Sequence, residues 1–265
     1  RWSTSSAYLN PARGRSNLEI RTKVQTKRII FEQNKAVGVE TERSGRSETI
    51  RARHVILSCG SIGSPQLLEL SGVGDADRLR GLGINVHHHL PDVGEHLQDH
   101  LLCKVVYATR ADLSINREVS GARLIPAALK WFFARKGPLT TGSAPIGAFW
   151  YTREGLEAPD IQVHFASGAT LYNNAGKIRA LAQPAMSAVV NQSRPESRGS
   201  IHITSADFRE YPEIKANYLS TELDRRTMVD GMKLLLRVFQ SEALAGSITS
   251  RLSPSEEMGD MDDDT

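Results

Sequence analysis

Apolar and polar positions alternate over Leu18-Glu19-Ile20-Arg21-Thr22-Lys23-Val24, and short apolar runs follow at Arg28-Ile29-Ile30-Phe31 and Ala36-Val37-Gly38-Val39-Glu40. A two-residue period marks half-buried strands. Turn residues at Gln33-Asn34-Lys35 and Ser44-Gly45-Arg46-Ser47 join these runs and Glu48-Thr49-Ile50 into a predicted meander. The pattern then changes. His54-Val55-Ile56-Leu57-Ser58-Cys59 is a short apolar segment closed by Gly60, which predicts a buried parallel strand over 54–58. Ser64-Pro65 predicts a helix opening on a hydroxyl cap, and Ser71-Gly72 its end. Asp75 caps a further short helix that Gly83 ends.

The second half reads as strands at Val105-Val106-Tyr107, 146–151, 161–165 and 187–191, with a helix over 122–134 and a loop over 137–142. Leu223, Met228, Met232, Leu235, Leu236 and Phe239 recur at helical spacing, so 221–239 is predicted to be a helix packed on the later sheet. Its methionines need no cofactor to explain them.

Composition narrows the class. The 265 residues are 40% hydrophobic, enough for one large or two modest cores. No run approaches the roughly 18 apolar residues of a membrane span, so no transmembrane segment is predicted. The expected location is the cytoplasm, with association to a membrane surface left open. Net charge is +3, but 1–55 carries 12 Lys and Arg against 5 Glu, while 254–265 carries six acids and no base. The basic residues interleave with strand positions and form no block, so they read as a solvated face and no nucleic-acid partner is expected. The chain opens on Arg1-Trp2-Ser3 and stops in an acidic run, and is read as an internal fragment.

Cys59 and Cys103 lack CxxC or Cys/His ligand spacing, so neither a disulfide framework nor a thiolate metal site is expected, and Cys59 is read as a small core residue. His87-His88-His89, and His96 with His100, resemble metal ligands in spacing alone. A zincin helix needs Glu directly after its first His, and Leu97 stands there, so no metal is expected. No Gly-x-Ser-x-Gly marks a serine nucleophile.

The turn at 60–74, Gly60-Ser61-Ile62-Gly63-Ser64-Pro65-Gln66-Leu67-Leu68-Glu69-Leu70-Ser71-Gly72-Val73-Gly74, brings backbone close to whatever binds at a strand end. It resembles the second signature of the glucose-methanol-choline (GMC) flavin oxidoreductases. Tyr8-Leu9-Asn10-Pro11-Ala12 before Asn17-Leu18 is similar to a Tyr-Leu-x-Pro-Ala segment of that family. Val93-Gly94-Glu95-His96-Leu97-Gln98-Asp99-His100 is similar to its Val-Gly-Glu-Asn-Leu-Gln-Asp-His, with His96 in place of Asn. Pro195-Glu196-Ser197-Arg198-Gly199 and Asn217-Tyr218-Leu219 resemble marks of its C-terminal domain.

The resemblance implies α/β plus α+β architecture: part of a Rossmann-like FAD-binding domain over 1–103, then a substrate-binding domain of antiparallel sheet and helices over 104–265, incomplete at its C-terminus. It implies FAD as cofactor, a small-molecule alcohol as substrate, and hydride transfer from the CH–OH carbon to flavin while a histidine takes the hydroxyl proton. The electron acceptor is not read. Carried over by position, Thr26 offers backbone groups to the adenine, and Ser58, Cys59 and Gly60 approach the cofactor. The Gly-x-Gly-x-x-Gly diphosphate loop and the catalytic histidine do not occur in 1–265, and the latter is expected beyond residue 265. Choline-type members carry a Glu where this chain has Pro145, so an uncharged primary alcohol is expected over choline, although Trp150 and Tyr151 could offer cation–π contact. The rival reading is a truncated or degenerate module of the same fold without catalysis.

Overall fold

In the computed structural model, which describes residues 3–110, 113–142, 144–172, 177–181 and 183–254, the meander forms as its pattern requires. Strands β1 (Gln25–Glu32), β2 (Lys35–Arg43) and β3 (Arg46–Arg51) are antiparallel in the order β1-β2-β3. Gly38 could not carry a side chain, because a Cβ there would lie 2.3 Å from the Ile50 carbonyl oxygen.

Before the meander, a π-helical turn (Ser5–Leu9) runs into the short helix α1 (Asn10–Ala12). The alternating run over 18–24 forms no strand; pairing begins only at Gln25. The parallel strand expected over 54–58 is also not formed, and Ile56 is 86% exposed. A parallel strand exists only through ladder bonds to its neighbours, and among the described residues none pairs with this segment. Cys59, expected in a core at the end of that strand, is exposed for the same reason.

Helix α2 (Gly60–Leu70) begins a full turn before the expected Ser64-Pro65 opening, with Cys59 at its N-cap and Pro65 inside it. Gly60, at φ +77°, turns the chain straight from Cys59 into the helix. Strand β4 (Val73–Gly74) follows, then α3 (Ala76–Gly81), whose N-cap Asp75 accepts the Arg78 N–H. Strand β5 (His88–His89) pairs in parallel with β4.

Contacts divide the chain into two units. The first holds Arg1–Leu97 and Gly199–Lys215, the second Gln98–Arg198 and Ala216–Thr265. The second unit is built on a five-stranded antiparallel sheet, β14-β6-β11-β8-β7. In chain order its elements are β6 (Cys103–Thr109), α4 (Leu124–Ala134), β7 (Ile146–Trp150), β8 (Ile161–Ala166), the pair β9 (Thr170–Tyr172) and β10 (Ile178–Ala180), and β11 (Ala185–Gln192). The chain then returns to the first unit for β12 (Ser200–His202) and β13 (Glu213–Lys215), an antiparallel pair. It closes the second unit with α5 (Glu222–Phe239), α6 (Glu242–Ala245) and β14 (Ile248–Ser253).

Helix α5 covers one face of that sheet, as its apolar stripe predicts. Met228, Met232, Leu235 and Phe239 pack with Val105, Tyr107, Ile161, Met186, Ala188 and Val190 in one core. The Phe239 ring stacks on Tyr107 at 4.4 Å. Gly231 is where the helix backbone comes closest to β11, since a Cβ there would lie 3.0 Å from Val190 Cγ2.

Candidate functional site

Thr26 sits half-buried on β1, opposite Thr41. Ser58, Cys59 and Gly60 form the exposed approach to α2. No side chain caps this helix and no acid stands in its first turn. Among the described residues its leading N–H groups thus have no side-chain cap and the positive end of its dipole no first-turn acid, an arrangement suited to a polar or anionic group. That chemistry fits a flavin nucleotide.

A pocket of the first unit, about 670 Å³, lies elsewhere, against Arg28, Ile30, Phe31, Ser71, Gly72 and His87. None of the four predicted cofactor residues is in its walls. Its charged groups pair with one another: Lys27 Nζ and Arg28 Nε each lie 2.7 Å from Glu40, and the two cations hold that carboxyl below its usual range. The ring of His87 stacks on Phe31 at 4.1 Å.

Sequence reasoning missed a buried polar array in this unit. Glu69, on α2, is fully buried and accepts the Ile203 N–H at 2.8 Å. Its other oxygen lies 2.8 Å from His202 Nδ1, and His202 Nε2 lies 2.8 Å from Glu95. Each ring nitrogen thus faces one carboxylate. Gly94 makes room for the ring: at φ +85°, a Cβ there would lie 2.2 Å from the Ile201 carbonyl and 2.8 Å from His202 Nδ1. The available signal was one carboxylate, Glu69, set in the apolar run Leu67-Leu68-Glu69-Leu70. Among the described residues, no group of His, Cys, Asp or Glu is placed to hold a metal ion. His88 and His89 are exposed on β5, and His89 Nδ1 accepts the Ala76 N–H.

In the second unit, the sheet face away from α5 carries the polar residues. Strand register places Gly147 beside His164 and Phe149 beside Gln162, with Val189 and Asn191 next in those two rows. Because Val163 and Phe165 pack toward the α5 core, period two turns Gln162 and His164 the other way. Val189 leads on to Lys104, whose Nζ donates to the Thr170 carbonyl at 2.9 Å; burial lowers the affinity of this amine for its proton. Asn116 braces the segment above, donating to the carbonyls of Ala169 and Leu181 and accepting the Ala169 N–H. The five strands of this sheet contain no Asp or Glu.

Comparison with known proteins is consistent across sequence and structure. Sequence models of GMC oxidoreductase match residues 1–102 and 195–265. The oxygen-dependent choline dehydrogenase of Staphylococcus saprophyticus is 37% identical over 97% of this chain and 46% of its own length. The mitochondrial choline dehydrogenase of Homo sapiens is 38% identical over 96% of this chain and 42% of its own. Pyridoxine 4-oxidase from Mesorbium loti superposes with TM-score 0.78 at 25% identity, over 96% of this chain and 46% of that one. A formate oxidase shares the fold at TM-score 0.81 and 23% identity, over 91% of this chain and 47% of that one. The chain thus spans about half the length of the relatives it matches.

Proposed function

Because this chain belongs to the GMC oxidoreductase family, whose members are FAD flavoproteins, we propose that it contributes cofactor contacts and a substrate wall to an enzyme oxidising the CH–OH group of an uncharged primary alcohol. Thr26 would offer backbone groups to the adenine, and Ser58, Cys59, Gly60 and the uncapped start of α2 would hold the cofactor where backbone can approach it closely. When bound, FAD supplies the acceptor for the hydride leaving the carbinol carbon. Gly147, Phe149, Gln162 and His164 would form the wall that orients the alcohol, the amide and imidazole hydrogen-bonding its hydroxyl and Phe149 excluding water. The domain reading becomes a partial FAD-binding domain over 1–103 and a substrate domain over 104–265, with Gly199–Lys215 assigned to the first.

The observation carrying the substrate class is the absence of any carboxylate from the five strands of the substrate sheet, together with Lys104 among them. A quaternary ammonium would meet no counter-charge on that wall, and Pro145 stands at the position where choline-type members carry theirs. The matched choline dehydrogenases favour choline instead, so a rate comparison decides. The gene product containing this chain should reduce a dye faster with simple primary alcohols than with choline, and a preference for choline would overturn the assignment. The 265-residue chain by itself should bind FAD weakly and turn over neither. We place the enzyme in the cytoplasm, in contact with a membrane surface. Two cysteines without disulfide-type spacing support the first, and the second is developed below.

A further inference from the structure

Helix α4 reverses the usual burial pattern. At 100° per residue, Ile125, Leu129, Phe132 and Phe133 stand at i, i+4, i+7 and i+8 on one stripe. They are 64%, 53%, 63% and 78% exposed. Ala127, on the opposite side, is the helix's buried residue. A helix that packs on its own domain puts its large apolar side chains inward. Here alanine faces in, and aromatic and branched side chains face out.

Along the chain on either side of the stripe the charge has one sign. From Glu118 to Glu154 there is no intervening Asp or Glu, whereas Arg123, Lys130, Arg135, Lys136 and Arg153 fall in that stretch. The Arg135 guanidinium lies 4.4 Å over the Trp131 ring, so a cation and an amphipathic aromatic sit together at the end of the helix. A second copy of this surface would set like charges against each other. An anionic surface would not. At 11 residues the helix is too short to span a bilayer, and no described helix is long and apolar enough to cross one. The combination matches a helix lying in the membrane interface.

We propose that α4 docks on bilayers containing anionic phospholipid, with the stripe from Ile125 to Phe133 in the acyl boundary and Arg123, Lys130, Arg135 and Lys136 at the headgroups. This rests on the membrane-surface reading given above and names the element responsible. The test is co-sedimentation of the chain with vesicles of phosphatidylcholine, alone or with about a third phosphatidylglycerol, with circular dichroism melting as the folding control. Wild type should sediment with the anionic vesicles and only poorly with the neutral ones. Phe132→Glu with Phe133→Glu should lower binding at least about tenfold without changing the melt, and Arg135→Gln with Lys136→Gln should cost about fivefold per charge and reduce the salt dependence. If wild type binds neither vesicle, the membrane reading and the docking helix both fail. If wild type binds and the Phe variant binds equally well, the membrane reading stands and α4 is not the element. Self-association through the stripe without vesicle binding, or loss of binding in a longer gene product that covers α4 with protein, also overturns the proposal.

Discussion

Nδ1 of His202 and Oε1 of Glu69 lie 2.8 Å apart although 133 residues separate them in the chain. The contact joins α2 to β12, and the buried Ile203 N–H shares the same carboxylate. Glu69→Ala would leave His202 Nδ1 and the Ile203 N–H buried without their partner, and should cost about 3 to 5 kcal/mol. Replacing both residues by leucine removes the polar groups together and should cost less than the sum of the single changes. Urea denaturation of the four species measures the coupling, with amide exchange at Ile203 as the local readout. Additive losses would show that the two side chains do not act as a pair.

Asp224 gives the chain an acid-sensitive contribution. Burial opposes its charge, but the Ser197 hydroxyl and the N–H groups of Glu196 and Ser197, at 2.9 and 2.8 Å, outweigh it and hold the carboxyl below its ordinary range. A folded value depressed in this way stabilises above the ordinary aspartate pKa of about 4 and is lost as pH falls through the folded value. Asp224→Asn should therefore cost about 1.5 to 3 kcal/mol at neutral pH and progressively less in acid. Urea midpoints taken across that range would refute this if the two proteins ran parallel throughout.

Gly231→Ala sets two effects against each other. Alanine gains up to about 1 kcal/mol in helix propensity, but its methyl would press on Val190, which is fully buried at 3.0 Å. Overpacking costs about 1 to 3 kcal/mol, so the net change should be destabilising. A raised melting temperature would mean that α5 and β11 can separate freely.

The two thiols should react at different rates. Cys59 is exposed, whereas burial raises the thiol pKa of Cys103 on β6 and keeps it protonated. A chromogenic disulfide reagent should show one fast and one slow thiol in the native chain and two fast ones in denaturant. Two equally fast native thiols would place Cys103 outside the sheet.

The segments legible in the sequence are those whose pattern is satisfied within the chain itself. The stripe from Met228 to Phe239 finds Val105, Ile161 and Val190 inside 1–265, so α5 and its sheet appear where the spacing puts them. Val55, Ile56 and Leu57 carry an equally clear strand signal but meet no partner strand, and a ladder cannot be built from one side. The start of α2 was misplaced because the proline at 65 looks like a first turn, whereas the positive φ of Gly60 allows a turn before it. For the site, Thr26 and Ser58 to Gly60 came from resemblance. The wall of Gly147, Phe149, Gln162 and His164 required strand register, which local sequence does not encode. The outward stripe of α4 was legible as a helix but not as an exposed one, since periodicity does not say which side faces the protein.

The return of residues 199–215 to the first unit has a consequence for synthesis. Emerging from the ribosome, α2 is complete long before β12 exists, so Glu69 waits in water until the chain has grown 133 positions further, to His202. The first unit cannot seal until Lys215 has cleared the exit tunnel, whereas most of the second is by then already outside. Translation that stops anywhere before His202 leaves Glu69 without either of its partners, and the first unit without its closing pair of strands.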